Sequence, residues 1–195
     1  MEERPVGVIA LAAVSLGLFA TFLVPFNTDF KYSLASGSSK GSPGLMAQPS
    51  LLTSWLYPLL DTAKMLHDDL QMPGDLALET AASIHRHTQA TRIAPELVVA
   101  LIQVESGGDP RAVSPKQAVG LMQVRHSVWA KTLGVSYREL FDIDTNIRAG
   151  IYILNYYLKR HETMTAALAA YSGNTRSTRY PKKVLATFRE LASET

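Results

Sequence analysis

The sequence predicts an all-α domain preceded by an apolar N-terminal segment and a linker. Three observations lead there. The chain opens with 22 residues free of charge, Pro5 to Phe26. A Gly/Ser/Pro-rich stretch follows, Ser33 to Pro49. From Asp75 onward apolar residues recur at helical spacing, with no convincing strand alternation and no internal repeat.

A helix rises ~1.5 Å per residue, so the first run is long enough to cross a ~30 Å hydrocarbon layer. It exceeds the usual apolar region of a signal peptide, and its start, Met1-Glu2-Glu3-Arg4, is not clearly basic. Residues 1–28 are therefore expected to be an uncleaved membrane anchor, with a signal peptide as the alternative. The charges on its two sides specify orientation only weakly. Residues 29–74 read as a linker with an amphipathic segment, Leu51 to Leu70, which either packs on the domain or lies at the membrane surface. Pro58 is expected to break or kink a helix there.

Residues 75–195 form the expected helical domain. Leu76 to about Thr91 is the first candidate helix. Pro95 and Glu96 suit the opening turn of the next, which carries the apolar run Leu97 to Ile102 and ends at Gly107-Gly108. A third helix is expected to include Ala118 to Trp129. Asp144 is expected to cap a fourth, running to about His161, with Ile147, Ile151, Leu154 and Leu158 on one face. A fifth spans Thr165 to Ser172, and Tyr180-Pro181 opens the last.

The net charge of +2 is unevenly spread. Between Arg176 and Arg189 stand five basic residues and no acid. Such a stretch favours an anionic partner, although a solvated helix face would look the same. The chain has no cysteine, which excludes disulfides, thiolate metal sites and cysteine nucleophiles. His85 and His87 are two apart and point to different sides of a helix, a poor metal pair. His67-Asp68-Asp69 and His161-Glu162 are clusters without partners. No phosphate loop, nucleophile elbow or nucleic-acid motif is present; Arg176 to Arg189 is the only candidate for a basic recognition helix.

Glu105 stands out by position. It follows a buried-looking run and closes its helix, where the macrodipole is negative. Both conditions disfavour the carboxylate and push its pKa upward, as a general acid near neutral pH requires. A surface glutamate at a helix end fits the same position. In Ala118-Val-Gly-Leu-Met-Gln123, Gly120 allows close backbone approach and Gln123 offers a donor and an acceptor to a sugar; plain helix packing is the alternative. Tyr171 ends a small-residue helix and can aim its hydroxyl into a cleft or sit half-buried in a core.

Together these segments resemble one family. Glu105-Ser-Gly-Gly-Asp-Pro-Arg-Ala-Val-Ser114-Pro is similar to the catalytic motif of the soluble-lytic-transglycosylase family, whose domain is lysozyme-like. Ala118-Val-Gly-Leu-Met-Gln123 matches that family's G-L-M-Q segment. Asp144-Thr-Asn146-Ile-Arg-Ala-Gly150 resembles its N-I-x-x-G helix, and Ala169-Ala-Tyr171-Ser-Gly173 its A-Y-N-x-G motif. The resemblance covers about Ala77 to Leu191 and rests on four ordered motifs. It implies a lysozyme-like domain with Glu105 as the single catalytic acid/base and Tyr171 as the second catalytic residue, approaching that carboxyl and helping to orient it. Ser114, Gln123, Met122, Ser106 and Arg125 would line the glycan site, with Gly120, Asn146 and Gly173 structural. Three places depart from the pattern: Gln117 for Gly, Arg125-His126 for Met-Pro, and Ser172 for Asn.

Glycosidases ordinarily use two carboxylates. Asp109 is the acid nearest Glu105 in sequence, and capping of its turn suits it better. The resemblance implies cleavage between N-acetylmuramic acid and N-acetylglucosamine with 1,6-anhydro ring closure, needing no metal or cofactor. The implied partners are peptidoglycan strands and a membrane, through residues 5–26, and not nucleic acid. The implied location is the bacterial envelope, on the extracytoplasmic side. A goose-type hydrolase and a non-catalytic peptidoglycan-binding module of an envelope assembly are the competing readings.

Overall fold

The structure is a computed structural model that describes residues 51–193, which belong to one unit, Ala47–Thr195. The expected anchor and residues 29–50 of the expected linker lie outside the described residues. Among the described residues no helix is long and apolar enough to cross a membrane.

The described residues form seven α-helices and a small ribbon. The helices are α1 (Leu51–Asp68), α2 (Gly74–Thr88), α3 (Pro95–Glu105), α4 (His126–Leu133), α5 (Ile143–Leu158), α6 (Met164–Tyr171) and α7 (Arg179–Ser193). A single 3-10 turn, Glu139–Phe141, precedes α5.

Helix α1 settles the two placements open for Leu51 to Leu70. Leu59, Ala63, Met65 and Leu66 join the main core, together with Leu70 beyond the helix end. Pro58 lies inside this helix without ending it. An interior proline costs ~3 kcal/mol, whereas each large apolar side chain buried here contributes ~1.5–3 kcal/mol. Thr62 Oγ1 donates to the Pro58 carbonyl at 2.9 Å and lies 2.9 Å from His85 Nε2, tying α1 to α2.

Helix α2 buries Ala77, Ala81, Ile84 and Thr88 at successive turns. It stops at Thr88, short of Thr91, because the Thr91 amide and hydroxyl both turn back onto the Thr88 carbonyl. In α3 every residue from Leu97 to Ile102 is buried. A helix apolar on all sides belongs at the centre of a core, and α1, α2 and α7 pack against it.

Between Ala118 and Trp129 a ribbon replaces most of the expected helix. Strands β1 (Ala118–Val119) and β2 (Val124–Arg125) pair antiparallel, Ala118 opposite Arg125 and Val119 opposite Val124. Only the end of the segment is helical, in α4. Gln117, Gly120 and Gln123 have φ of 58°, 74° and 48°, left-handed values at which an α-helix cannot run.

Helix α5 is capped by Asp142, whose carboxylate accepts from the Thr145 amide at 2.8 Å, so the cap lies two residues before the expected Asp144. Asp144 Oδ1 instead receives Ser83 Oγ at 2.9 Å, Arg86 Nη1 at 2.6 Å and His87 Nε2 at 2.9 Å, joining α5 to α2. Burial opposes its charge, but these donors hold its carboxyl below the usual carboxylate range. Helix α5 lies between two apolar clusters. Ile147, Ile151 and Leu154 face the main one, while Ala149 and Ile153 face a second built with Val119, Val124, Val135 and Leu140. Helices α6 and α7 run close to the expected spans, and α7 packs its buried Pro181, Val184 and Leu191 inward.

Candidate active site

Glu105 is the last residue of α3, and the chain reverses directly beyond it. The amides of Ser106 and Gly107 both donate to the Ile102 carbonyl, and Gly107 and Gly108 have φ of 63° and 89°. The Ser106 hydroxyl donates to the Leu121 carbonyl at 2.9 Å and accepts from the Gly108 amide at 3.2 Å. Ser106 thus locks the end of α3 to the ribbon turn and holds Glu105 in place.

The Glu105 carboxyl is partly buried, and burial raises its pKa from 4.5 to about 7, against the opposing pull of Tyr180 and the Lys183 ammonium. Tyr180 Oη donates to Glu105 Oε1 at 2.5 Å. This tyrosine enters because the first turn of α7 lies against the end of α3. Its own pKa is raised by burial and by the Glu105 charge, so the phenol stays protonated and remains a donor.

Tyr171, at the end of α6, is close enough to feel the Glu105 charge, which together with burial raises its pKa. Its hydroxyl, however, donates to the Met122 carbonyl at 2.9 Å. The hydrogen bond on the carboxyl comes from Tyr180, which the sequence marked only as the start of a helix. A Tyr-Pro pair there carries no local signal of chemistry. Only the packing of α7 on α3, which spans 75 residues of sequence, brings the phenol to the acid.

The turn between β1 and β2 is held from within. Asn146 is buried and uses every polar atom: Oδ1 accepts from the Met122 amide at 2.8 Å, and Nδ2 donates to the carbonyls of Val119 and Leu140 at 2.9 and 2.7 Å. Gly120 lies directly over that amide. A Cβ there would collide with Asn146 and approach the Leu140 carbonyl oxygen to 2.8 Å. Met122 is fully buried and packs its side chain over Gly150, leaving its carbonyl to Tyr171. Gln123 Nε2 donates to the carbonyls of Gly120 and Ala112, which braces the turn and leaves its Oε1 as the group open to a ligand.

Ser114 Oγ accepts from the Ala118 amide at 3.0 Å, and Ser114 sits partly exposed at the entrance to β1. Arg125, on β2, lies over Gly173, where a Cβ would stand 2.9 Å from Nη2. Gly173 takes φ of 73° to turn the chain after α6. Gln117 Oε1 accepts from Tyr137 Oη at 3.4 Å, and the Ser172 hydroxyl donates to the Ala169 carbonyl at 2.8 Å.

The structure links the motif residues through the ribbon turn beside the end of α3. Glu105, Ser106, Met122, Tyr171 and Asn146 form a connected set, with Gln123 and Ser114 on the ribbon side and Arg125 against the turn after Tyr171. Asp109 Oδ1 caps the Arg111 amide at 2.8 Å. His85 and His87 go to different partners, Thr62 and Asp144. A buried acid with a raised pKa, steadied by one phenol, can donate a proton at neutral pH and take one back.

Comparison with known proteins identifies the family. The transglycosylase SLT domain model matches residues 82–187. A protein named transglycosylase from Enterobacteria phage PRD1 is 38% identical, over 47% of this chain and 36% of its own. An endo-type membrane-bound lytic murein transglycosylase A from Cronobacter sakazakii is 40% identical, over 29% of this chain and 28% of its own. The chain thus spans well under two thirds of either relative.

Proposed function

This chain belongs to the transglycosylase SLT domain family, and on that premise we propose that it is a peptidoglycan lytic transglycosylase with a lysozyme-like active site and Glu105 as its only acid/base. The observation that carries this reading is the Glu105 carboxyl, buried at a helix end, raised to about 7 and hydrogen-bonded by Tyr180.

In the proposed reaction Glu105 enters protonated. It gives its proton to the glycosidic oxygen between N-acetylmuramic acid and N-acetylglucosamine, and the C–O bond breaks. The N-acetyl carbonyl of the muramoyl sugar stabilises the cationic carbon. Glu105, now a carboxylate, takes the proton of the muramoyl 6-hydroxyl, whose oxygen closes the 1,6-anhydro ring. The acid is thereby regenerated, and no water is consumed. Tyr180 keeps one carboxylate oxygen fixed through both proton transfers, and Tyr171 braces the Met122 carbonyl that shapes the floor. Gln123 and Ser114 offer polar contacts to the sugars.

We also place the enzyme in the bacterial envelope, with residues 5–26 as a membrane anchor and the domain on the extracytoplasmic side. The support is the uncharged run itself, together with the description of the Cronobacter relative as membrane-bound. Extraction of the full chain by detergent but not by alkaline carbonate is the expected behaviour.

The reaction is tested by incubating the full chain with sacculi, beside its Glu105→Gln form, and weighing the products. Muropeptides ending in 1,6-anhydromuramic acid are expected from the first and not from the second. Ordinary reducing ends would instead mean hydrolysis, and turnover by a folded Glu105→Gln form would sink the assignment of the acid.

A further inference from the structure

We infer that Arg125, Arg176, Arg179 and Lys183 form a cationic rim along the active site that binds the carboxylates of the peptides attached to the glycan strand. The enzyme then reads peptide charge as well as sugar. This inference rests on the proposed function above, because it names a feature of the same substrate.

The rim starts at the acid itself. Lys183 is exposed on α7, one turn beyond Tyr180, and its charge acts on the Glu105 carboxyl. Arg179 stands at the first position of the same helix and Arg176 in the turn before it, both exposed. That turn begins at Gly173, where the Arg125 guanidinium lies. The four cations are therefore carried by α7, the turn before it and β2, with Lys183 near Glu105 and Arg125 at the turn after Tyr171.

Among the described residues none of these four cations forms an ion pair. Between Arg176 and Arg189 there is no acid. The ion pairs among the described residues are Lys64–Asp68, Arg86–Asp144 and His87–Asp144, all away from this segment. Cations kept side by side without counter-charges repel one another, and an anionic ligand relieves that repulsion. One end of the rim acts through its charge on the Glu105 carboxyl and the other lies against the turn after Tyr171, so the anion belongs to the molecule seated there rather than to a separate partner. An N-acetylglucosamine backbone is uncharged. The anions of a peptidoglycan strand are the carboxylates of its peptides, which branch from the muramoyl sugar next to the bond that is cut. Three of the four cations are exposed, so their attraction acts on capture and weakens as salt screens it.

The test uses the full chain in detergent with two substrates. One is native sacculi. The other is the same sacculi with peptide carboxyls converted to neutral amides by carbodiimide and ethanolamine. The wild type is expected to show a KM about tenfold higher on the amidated sacculi, the lower end of electrostatic enhancement, with kcat little changed. The double variant Arg176→Gln/Arg179→Gln, folded by circular dichroism, should show that higher KM on both substrates. Equal wild-type KM on the two substrates, or a double variant matching wild type on native sacculi, overturns the rim. If the variant loses binding to phosphatidylglycerol vesicles but keeps its hold on native sacculi, the rim belongs to lipid, and the inference fails. Sedimentation of the Glu105→Gln form with both sacculi needs no turnover. It therefore tests the rim even if the proposed reaction fails.

Discussion

Tyr180 Oη meets Glu105 Oε1 at 2.5 Å, joining the first turn of the last helix to the end of the central one. The phenol opposes the effect of burial on the carboxyl. Removing it should do two things at once. In Tyr180→Phe the pKa of Glu105 rises further, so the alkaline limb of the pH–rate profile moves to higher pH. The carboxyl also loses its orientation, and the rate at the optimum should fall about 10²-fold, as for a small misplacement of a catalytic group. An unchanged profile would show that Tyr180 neither tunes nor holds the acid.

The raised pKa of Glu105 is also a statement about stability. The folded carboxyl holds its proton up to about 7, the unfolded one only to 4.5. Between those values the folded state binds more protons, so stability is highest below the lower value and declines as pH rises through the upper one. The full shift corresponds to ~3 kcal/mol, an upper figure for this group. Glu105→Gln removes the titration. Urea unfolding should therefore find the variant more stable than wild type at pH 8 and close to it at pH 4, with a flatter profile between.

Asn146 holds three backbone groups that no other side chain serves. Asn146→Ala removes the side-chain partner of the Met122 amide and of the Val119 and Leu140 carbonyls, at ~1–3 kcal/mol for each buried group left unsatisfied. A loss of ~3–5 kcal/mol on chemical denaturation is expected. Gly120→Ala attacks the same contact from the other side, through both its φ of 74° and the collision with Asn146. The double variant should therefore cost less than the two single losses added together.

The domain needs α1. A chain starting at Asp75 would lose Leu59, Met65, Leu66, Leu70 and Met72 from the main core. At ~1.5–3 kcal/mol for each large side chain, that rivals the whole stability of a domain of this size. Fragment 75–195 should fail to show a cooperative thermal transition, whereas 47–195 should show one.

The helical parts were legible where one face carried the signal. The apolar run of α3, the 3.6-residue stripe of α5 and the glycines after Glu105 fix those elements locally, and the boundaries fall within a few residues of expectation. The ribbon was not legible. Ala118 to Gln123 has a helical composition, and only the left-handed turn at Gly120 and Gln123, pinned by Asn146 from another helix, makes it a hairpin. Pro58 misled for a related reason, since its local penalty is outweighed by burial that the local sequence does not display. Within the site, Glu105 announced itself by following a buried run. Tyr180 could not, because its place on the carboxyl depends on how two distant helices pack.

The burial of α3 on every side also sets a hierarchy in time. Amide hydrogens from Val98 to Ile102 are shielded by the rest of the fold, so they should exchange with solvent only when the whole domain opens. Helix α7 is an outer layer with one exposed face, and it can detach in a smaller opening. Glu105 thus hangs from the slowest-exchanging segment, while the phenol that steadies it rides on a looser one. Warming the protein should part the two before the core melts, so catalysis would fade while most of the helical signal persists.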